Sequence, residues 1–308
     1  MNKYSKKIII VNWKSLISNE NEIKKLLLNI NKNFKKYSKN SKKMSFYLSL
    51  PPLLISSAIN IIKNKKEFSN IFIGAQNFDF NDKNFINNST TLEQLISLKI
   101  KFTLLNYYPK YDKELNLDFS FEKKSNKEYK TTNILLERLN NVSKKFEDIN
   151  TKNNNNELNR EEINIEKKLI EKELLSLSEK ISYSLKNNII TLPILHHNES
   201  IKFITLFIEK IMSQLHYNLF DKLIIVYKIE KNIELFDADN LKEKIILIRK
   251  TIANLYGLDN AKKVKIILSC EINGKYILNL LENTGFDGIL IEDESLDEDF
   301  FGELLSKI

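Results

Sequence analysis

Eight short, β-branched apolar runs recur along the chain, separated by longer segments of helical period, and this alternation limits the fold more than any other feature. The runs are Lys7–Trp13, Met44–Leu50, Ile71–Gln76, Phe102–Asn106, Ile189–His196, Leu223–Tyr227, Val264–Cys270 and Gly288–Glu292. Runs of this length, apolar on both faces and bounded by polar residues, read as buried parallel strands. Between them, sets such as Ile23, Leu26, Leu27 and Ile30, or Ile245, Ile246, Ile248, Ile252 and Leu255, fall on one side of a helix. Eight strand–helix repeats in this order predict an α/β fold, a (β/α)8 barrel, with a doubly wound open sheet as the alternative.

One interval breaks the rhythm. Between the fourth and fifth strands lie roughly 80 residues where about 30 suffice for a crossover. The stretch from Leu115 to Ile170 carries the run Asn153–Asn156 and few apolar clusters, so the prediction is an Asn/Lys-rich insertion, only partly ordered, within a single barrel domain spanning 1–308. A helix is expected at Thr132–Phe146, and Glu171–Lys186 reads as the regular fourth barrel helix. An insertion there belongs to a βα loop, on the face where barrels carry their sites.

Composition excludes some classes. The net charge is +8, which raises the question of a nucleic-acid partner, but the cations are almost all Lys interspersed with Glu and Asn, and Arg138, Arg160 and Arg249 are the only guanidinium groups. Interspersed lysine reads as a solvated surface rather than a nucleic-acid face. The single cysteine, Cys270, rules out an internal disulfide, and Ile8–Val11 is too short for a membrane span or secretory core, so a cytoplasmic chain is expected. His196 and His197 are adjacent, and neighbouring strand residues point to opposite faces; with Glu199 and the distant His216 they make no credible metal set, and no metal or cofactor is expected. There are 6 Gly in 308 residues, against roughly 7% in average proteins, so main-chain phosphate cradles, which depend on glycine, have little material here.

The strand ends carry a resemblance. Asn12-Trp13-Lys14, Leu50-Pro51-Pro52, Gly74-Ala75-Gln76-Asn77, Pro193-Ile194-Leu195 with Glu199, Tyr227, Ile248-Arg249, Phe286-Asp287-Gly288 and Ser295-Leu296 follow in order at successive strand ends. Together they resemble the N-W-K, A-P-P, G-A-Q-N, P-I-L-C-x-G-E, A-Y-E-P, I-R, D-G and A-S-L motifs of the triosephosphate isomerase family, over essentially the whole chain except the insertion. The resemblance implies a TIM barrel and, ancestrally, the glycolytic interconversion of dihydroxyacetone phosphate and glyceraldehyde 3-phosphate without a cofactor. It further implies a glutamate base after the sixth strand, a neutral histidine after the fourth and a lysine after the first, a division of acid and base roles for which that enzyme is a standard example.

Several of those positions are changed. Asn12 and Lys14 are kept, but the histidine position falls at Tyr107 and the base position at Lys228. A lysine with an ordinary pKa of about 10.4 is protonated at neutral pH and cannot abstract a proton. Glu230 shares strand parity with Lys228 but lies roughly 6–7 Å further along an extended chain. The glycine-bearing lid that follows in the family is replaced by Lys231-Asn232-Ile233-Glu234-Leu235. The family's two phosphate-binding glycine pairs are replaced by Cys270 and Glu271 after the seventh strand and by Glu292 and Asp293 after the eighth. Like charges at 4 Å repel by about 1 kcal/mol in water and about 4 near a protein surface, so these acids oppose a phosphate dianion.

The expectation is therefore a homologue of triosephosphate isomerase, a pseudoenzyme that has lost most or all isomerase activity and phosphate binding and is kept as an interaction or regulatory protein. Lys14 and Lys228 are expected to pair with Glu271, Glu292 or Asp293 across the barrel mouth. Two alternatives stay open: a working isomerase with a rebuilt site, using Glu230 or a mouth acid as base, and a Schiff-base lyase using Lys228. Partners by resemblance are a second copy or an active relative, although Phe85–Thr91 lacks the A-F-T-G-E signature of the family's dimer loop.

Overall fold

The computed structural model describes residues 8–14, 16–36, 45–79, 90–105, 157–196, 201–232, 238–271 and 277–307. Eight parallel strands close into a barrel in sequence order: β1 (Ile8–Asn12), β2 (Ser45–Leu50), β3 (Ile71–Ala75), β4 (Phe102–Leu105), β5 (Ile190–His196), β6 (Ile224–Asn232), β7 (Lys265–Glu271) and β8 (Gly288–Ile291). The closing pair is β1 with β8, in register from Ile8 opposite Gly288 to Val11 opposite Ile291. The (β/α)8 barrel predicted from the alternation is the fold, and the open sheet is excluded by this closure.

Strand alternation builds two cores from one pattern. Ile10, Leu104, Leu192, Val226, Ile267 and Leu290 meet inside the barrel, while their neighbours Ile9, Val11, Ile225, Ile266 and Leu268 face outward to the helices. Both faces are buried, which is why the strands read as continuous apolar runs. Two glycines fit close approaches: a Cβ on Gly74 would overlap the Phe102 ring, and one on Gly288 the Ile8 carbonyl.

The described helices are α1 (Glu20–Lys36), α2 (Pro52–Ile62), α3 (Leu92–Ser97), α4 (Glu157–Lys186), α5 (Ile201–Met212), α6 (Ala238–Tyr256), α7 (Leu258–Lys263), α8 (Ile277–Thr284) and α9 (Glu298–Lys307). In α1, Ile23, Leu27 and Ile30 are fully buried. In α6, Leu241, Ile245, Ile248 and Ile252 are buried, whereas Ile246 and Leu255, expected on the same face, are exposed. The apolar stripe is thus narrower than the sequence pattern suggested.

Two boundaries differ from expectation. The helix before β5 begins at Glu157 rather than near Glu171, so part of the stretch assigned to the insertion is the first half of α4. Charged residues such as Glu161, Glu162, Glu166, Lys167 and Lys168 hid a helix that has few apolar positions but good intrinsic propensity. The rest of the insertion, including the helix expected at Thr132–Phe146, lies outside the described residues, as do Tyr107 and 85–89. β6 also runs past Tyr227 to Asn232: after Lys228 pairs with Ser269, the next pairing is Asn232 with Glu271, so β6 bulges over this stretch.

Below the barrel, at the opposite end from the mouth, Asp287 closes a clasp. Its Oδ2 accepts hydrogen bonds from Arg249 Nη2 and from the Ile266 N–H, both at 2.9 Å, and Lys265 Nζ stands 3.6 Å from Oδ1. Arg249 Nη1 donates to the carbonyls of Ala261 and Val264. The I-R and D-G matches therefore tie α6 to the starts of β7 and β8 and take no part in the mouth.

Candidate functional site at the barrel mouth

Odd–even parity decides which side chains reach the mouth. Ile8 and Ile10 point inward, so Asn12 does too, while Trp13 is fully buried in the outer core. The chain then turns at Lys14, whose φ of 45° lies in the left-handed region. A non-glycine residue there costs roughly 1 kcal/mol and needs support. Two contacts supply it: Asn12 Oδ1 accepts the Lys14 N–H at 3.3 Å, and Gln76 Nε2, just after β3, donates to the Lys14 carbonyl at 2.8 Å. The Asn12-Trp13-Lys14 turn thus has a local reason: one residue braces, the next anchors, and the third swings over the mouth.

Lys14 meets Glu292 there. Lys14 Nζ lies 3.0 Å from Glu292 Oε2 and 3.2 Å from Asp293 Oδ1. Lys228 Nζ, arriving from β6, lies 3.3 Å from Glu292 Oε1. One carboxylate therefore bridges two ammonium groups, using a different oxygen for the shortest contact with each. The three bridging side chains are 22–35% exposed, whereas Asp293 is 62% exposed at the rim. Burial works against the charge on Lys14, but the Glu292 charge and hydrogen bond, then those of Asp293, outweigh it and raise the Lys14 pKa above its ordinary value.

Glu292 is set where it is by β8. The strand is buried throughout and ends at Ile291, and Asp293–Leu296 folds into a single 3-10 turn. Ser295, buried at 1%, bonds back to the Glu292 carbonyl, which fixes the backbone at the base of the Glu292 side chain. Leu290 faces the barrel interior, so alternation sends Glu292 inward as well.

Of the residues singled out in the sequence, the fold brings Asn12, Lys14, Lys228, Glu292 and Asp293 together. Cys270 is not with them: it is buried in the outer core between barrel and helices, because parity that turns Ser269 inward turns Cys270 outward. Counting strand parity from Ile267 would have found this. Tyr107 lies outside the described residues, and so do the side chains of Glu230 and Glu271. His197 and Glu199 are likewise outside, and among the described residues no group of three or more His, Cys, Asp and Glu side chains is placed to hold a metal ion.

Three residues gain importance that the motifs did not give them. Gln76 braces Lys14. His196 and Ser269 lie in register with Lys228 on either side of it, His196 on β5 and Ser269 on β7. The signal was available in strand parity, but the His196-His197 pair drew attention to metal binding instead.

Among the described residues no helix is long and apolar enough to cross a membrane. Compared with known proteins, the chain matches no family model, and no curated protein matches it.

Proposed function

We propose that this chain is a barrel of triosephosphate isomerase type that no longer isomerises triose phosphate and acts instead as a binding or regulatory protein, in the cytoplasm. One observation carries the reading: the Glu292 carboxylate lies between Lys14 and Lys228, at 3.0 and 3.3 Å, with Asp293 also on Lys14. Lys14 is the cation that a phosphorylated substrate would need, and its charge is already answered within the chain. Lys228 stands where the resemblance asks for a carboxylate base, and an ammonium cannot remove a proton from a carbon. A dianion entering this mouth would meet Glu292 and Asp293 before any free cation, and like charges at this range cost kcal/mol.

The test uses the purified full chain. Expected are no turnover of glyceraldehyde 3-phosphate above the buffer rate and no calorimetric binding of 2-phosphoglycolate. Isomerisation that disappears in Lys228→Met or Glu292→Gln would refute the reading and favour a rebuilt isomerase. The same preparation, run on a sizing column alone and with an active isomerase, reports whether the partner is a second copy or a relative.

A second reading is favoured by the placement of Lys228. Its side chain is 24% exposed, its carboxylate neighbour is 3.3 Å away, and His196 is in register beside it. A lysine amine at this position can add to an aldehyde once an entering ligand has displaced Glu292 and the ammonium proton has passed to solvent, and loss of water then leaves an imine. Borohydride reduction in the presence of small aldehydes would leave a mass adduct on Lys228; no adduct would end this reading.

A further inference from the structure

We infer that Lys14 and Lys228 form an oxyanion-binding site whose resident occupant is the chain's own Glu292 carboxylate, and that the external ligand it takes is a small monocarboxylate in exchange for Glu292. The inference deepens the proposed reading of the mouth, but it does not depend on whether isomerase activity is lost.

The backbone that carries each lysine is held independently of the acid between them. Lys14 is braced through its backbone by Asn12 and Gln76. Lys228 sits within β6, paired to His196 of β5 and Ser269 of β7. Removing Glu292 therefore leaves two lysines on braced backbone, like charges within reach of one point, and an anion that enters between them relieves their repulsion. Beneath them, Ser49 stands opposite Asn12 on β2, fully buried, and its hydroxyl has no hydrogen-bond partner among the described residues. Tyr47, two residues earlier, faces the barrel interior, so Ser49 does as well.

Charge selects the ligand class. Without Glu292 the described ion-paired residues at the mouth are Lys14, Lys228 and Asp293, a net charge of +1, which one monoanion balances. A phosphate dianion would exceed that balance and sit against Asp293, which stays 3.2 Å from Lys14. The geometry also suits a carboxylate, whose two oxygens can each take one lysine as Oε2 and Oε1 of Glu292 do. In the intact chain the tethered Glu292 competes at high effective concentration, so the site is closed by its own side chain.

Glu292→Ala removes a methylene and a carboxylate, the atoms of acetate, so sodium acetate is the probe. The full-length variant is titrated against acetate at constant ionic strength set with chloride, by calorimetry and by acetate line broadening. Expected is saturable binding of about millimolar Kd to Glu292→Ala, at least about tenfold weaker binding to the unmodified chain, and a loss of at least about tenfold when Lys14→Met or Lys228→Met is added. If Glu292→Ala does not fold in chloride, acetate must restore its far-UV circular dichroism. The inference is overturned by no saturable binding, by equal acetate binding to the unmodified chain, by binding that survives loss of either lysine, by inorganic phosphate binding more tightly than acetate, or by failure of acetate to rescue an unfolded variant. Isomerase turnover by the unmodified chain would refute the proposed function and leave these outcomes unchanged.

Discussion

Replacing Glu292 by Gln tests the bridge directly, because it keeps volume and removes charge. The side chains in the bridge are 22–35% exposed, so each contact falls between exposed ion pairs, worth about 0–1 kcal/mol, and charged hydrogen bonds, worth about 1.5–3. Taking about 1 kcal/mol for each, loss of both costs about 2. The substitution also leaves two ammonium groups facing one another, no more than roughly 8 Å apart, which adds about 1 kcal/mol at an intermediate dielectric. A total of about 2–3 kcal/mol corresponds to a fall in Tm on the order of 3–5 °C for a chain of this size. Urea unfolding followed by circular dichroism gives the value. Lys228→Met alone removes one contact and leaves Glu292 on Lys14, so it should cost about 1 kcal/mol or less. In the Glu292→Gln background the same Lys228→Met change should become neutral or stabilising, since it then relieves repulsion. Raising salt toward 1 M, where the Debye length falls to about 3 Å, should shrink the Glu292→Gln deficit. Unchanged stability in Glu292→Gln, or a Lys228→Met cost that is the same in both backgrounds, would refute the bridge.

Asp287→Ala should destabilise by about 2–3 kcal/mol in urea unfolding, because the Ile266 N–H loses its acceptor and the half-buried Arg249 loses its counter-ion while keeping its two carbonyls. Asp287→Asn should cost roughly half as much, since an amide oxygen can still accept from Ile266. The raised pKa of Lys14 means that its pairing contributes fully below the ordinary lysine value of 10.5 and is lost as pH rises through the higher folded value. The stability gap between the unmodified chain and Lys14→Met should therefore hold constant from neutral pH toward 10 and close above it. Gly74→Ala should cost about 1–3 kcal/mol by driving a Cβ into the Phe102 ring, and Phe102→Leu should recover part of that loss in thermal unfolding.

The barrel was readable because its strands are buried on both faces, so Ile8-Ile9-Ile10-Val11 and Gly288-Ile289-Leu290-Ile291 stand out against a lysine- and asparagine-rich background. The pairing of Lys14 and Lys228 with Glu292 and Asp293 was readable as well, from lysines and acids standing together at strand ends. What escaped was geometry that depends on parity or on bends. Cys270 belongs to a motif position but faces the helices, and motif alignment carries no information about which face a residue takes. The brace on Lys14 needs Gln76, 62 residues away, and only closure of the barrel brings them together. The bulge in β6 between Lys228 and Asn232 has no glycine to announce it. The early start of α4 was missed because its first turns are charged and propensity alone supports them.

The charged residues at the mouth make sense only as a set. Take Lys228 without Glu292: two lysines converge on a partly buried point with Asp293 alone to balance them. Take Glu292 without Lys228: a single carboxylate competes with Asp293 for Lys14, and the mouth carries net negative charge. Each half alone costs free energy that the pair removes, since a charge left unpaired in a half-buried site is more expensive than the pair is favourable. The fold tolerates the exchange because the inward apolar layers at Ile10, Val226 and Leu290 lie below the charged layer and do not depend on its sign. The barrel core is therefore independent of the chemistry of its mouth. Reversing only one member, as in Lys228→Glu, would set three acids against Lys14 and should cost more in urea unfolding than Lys228→Met does.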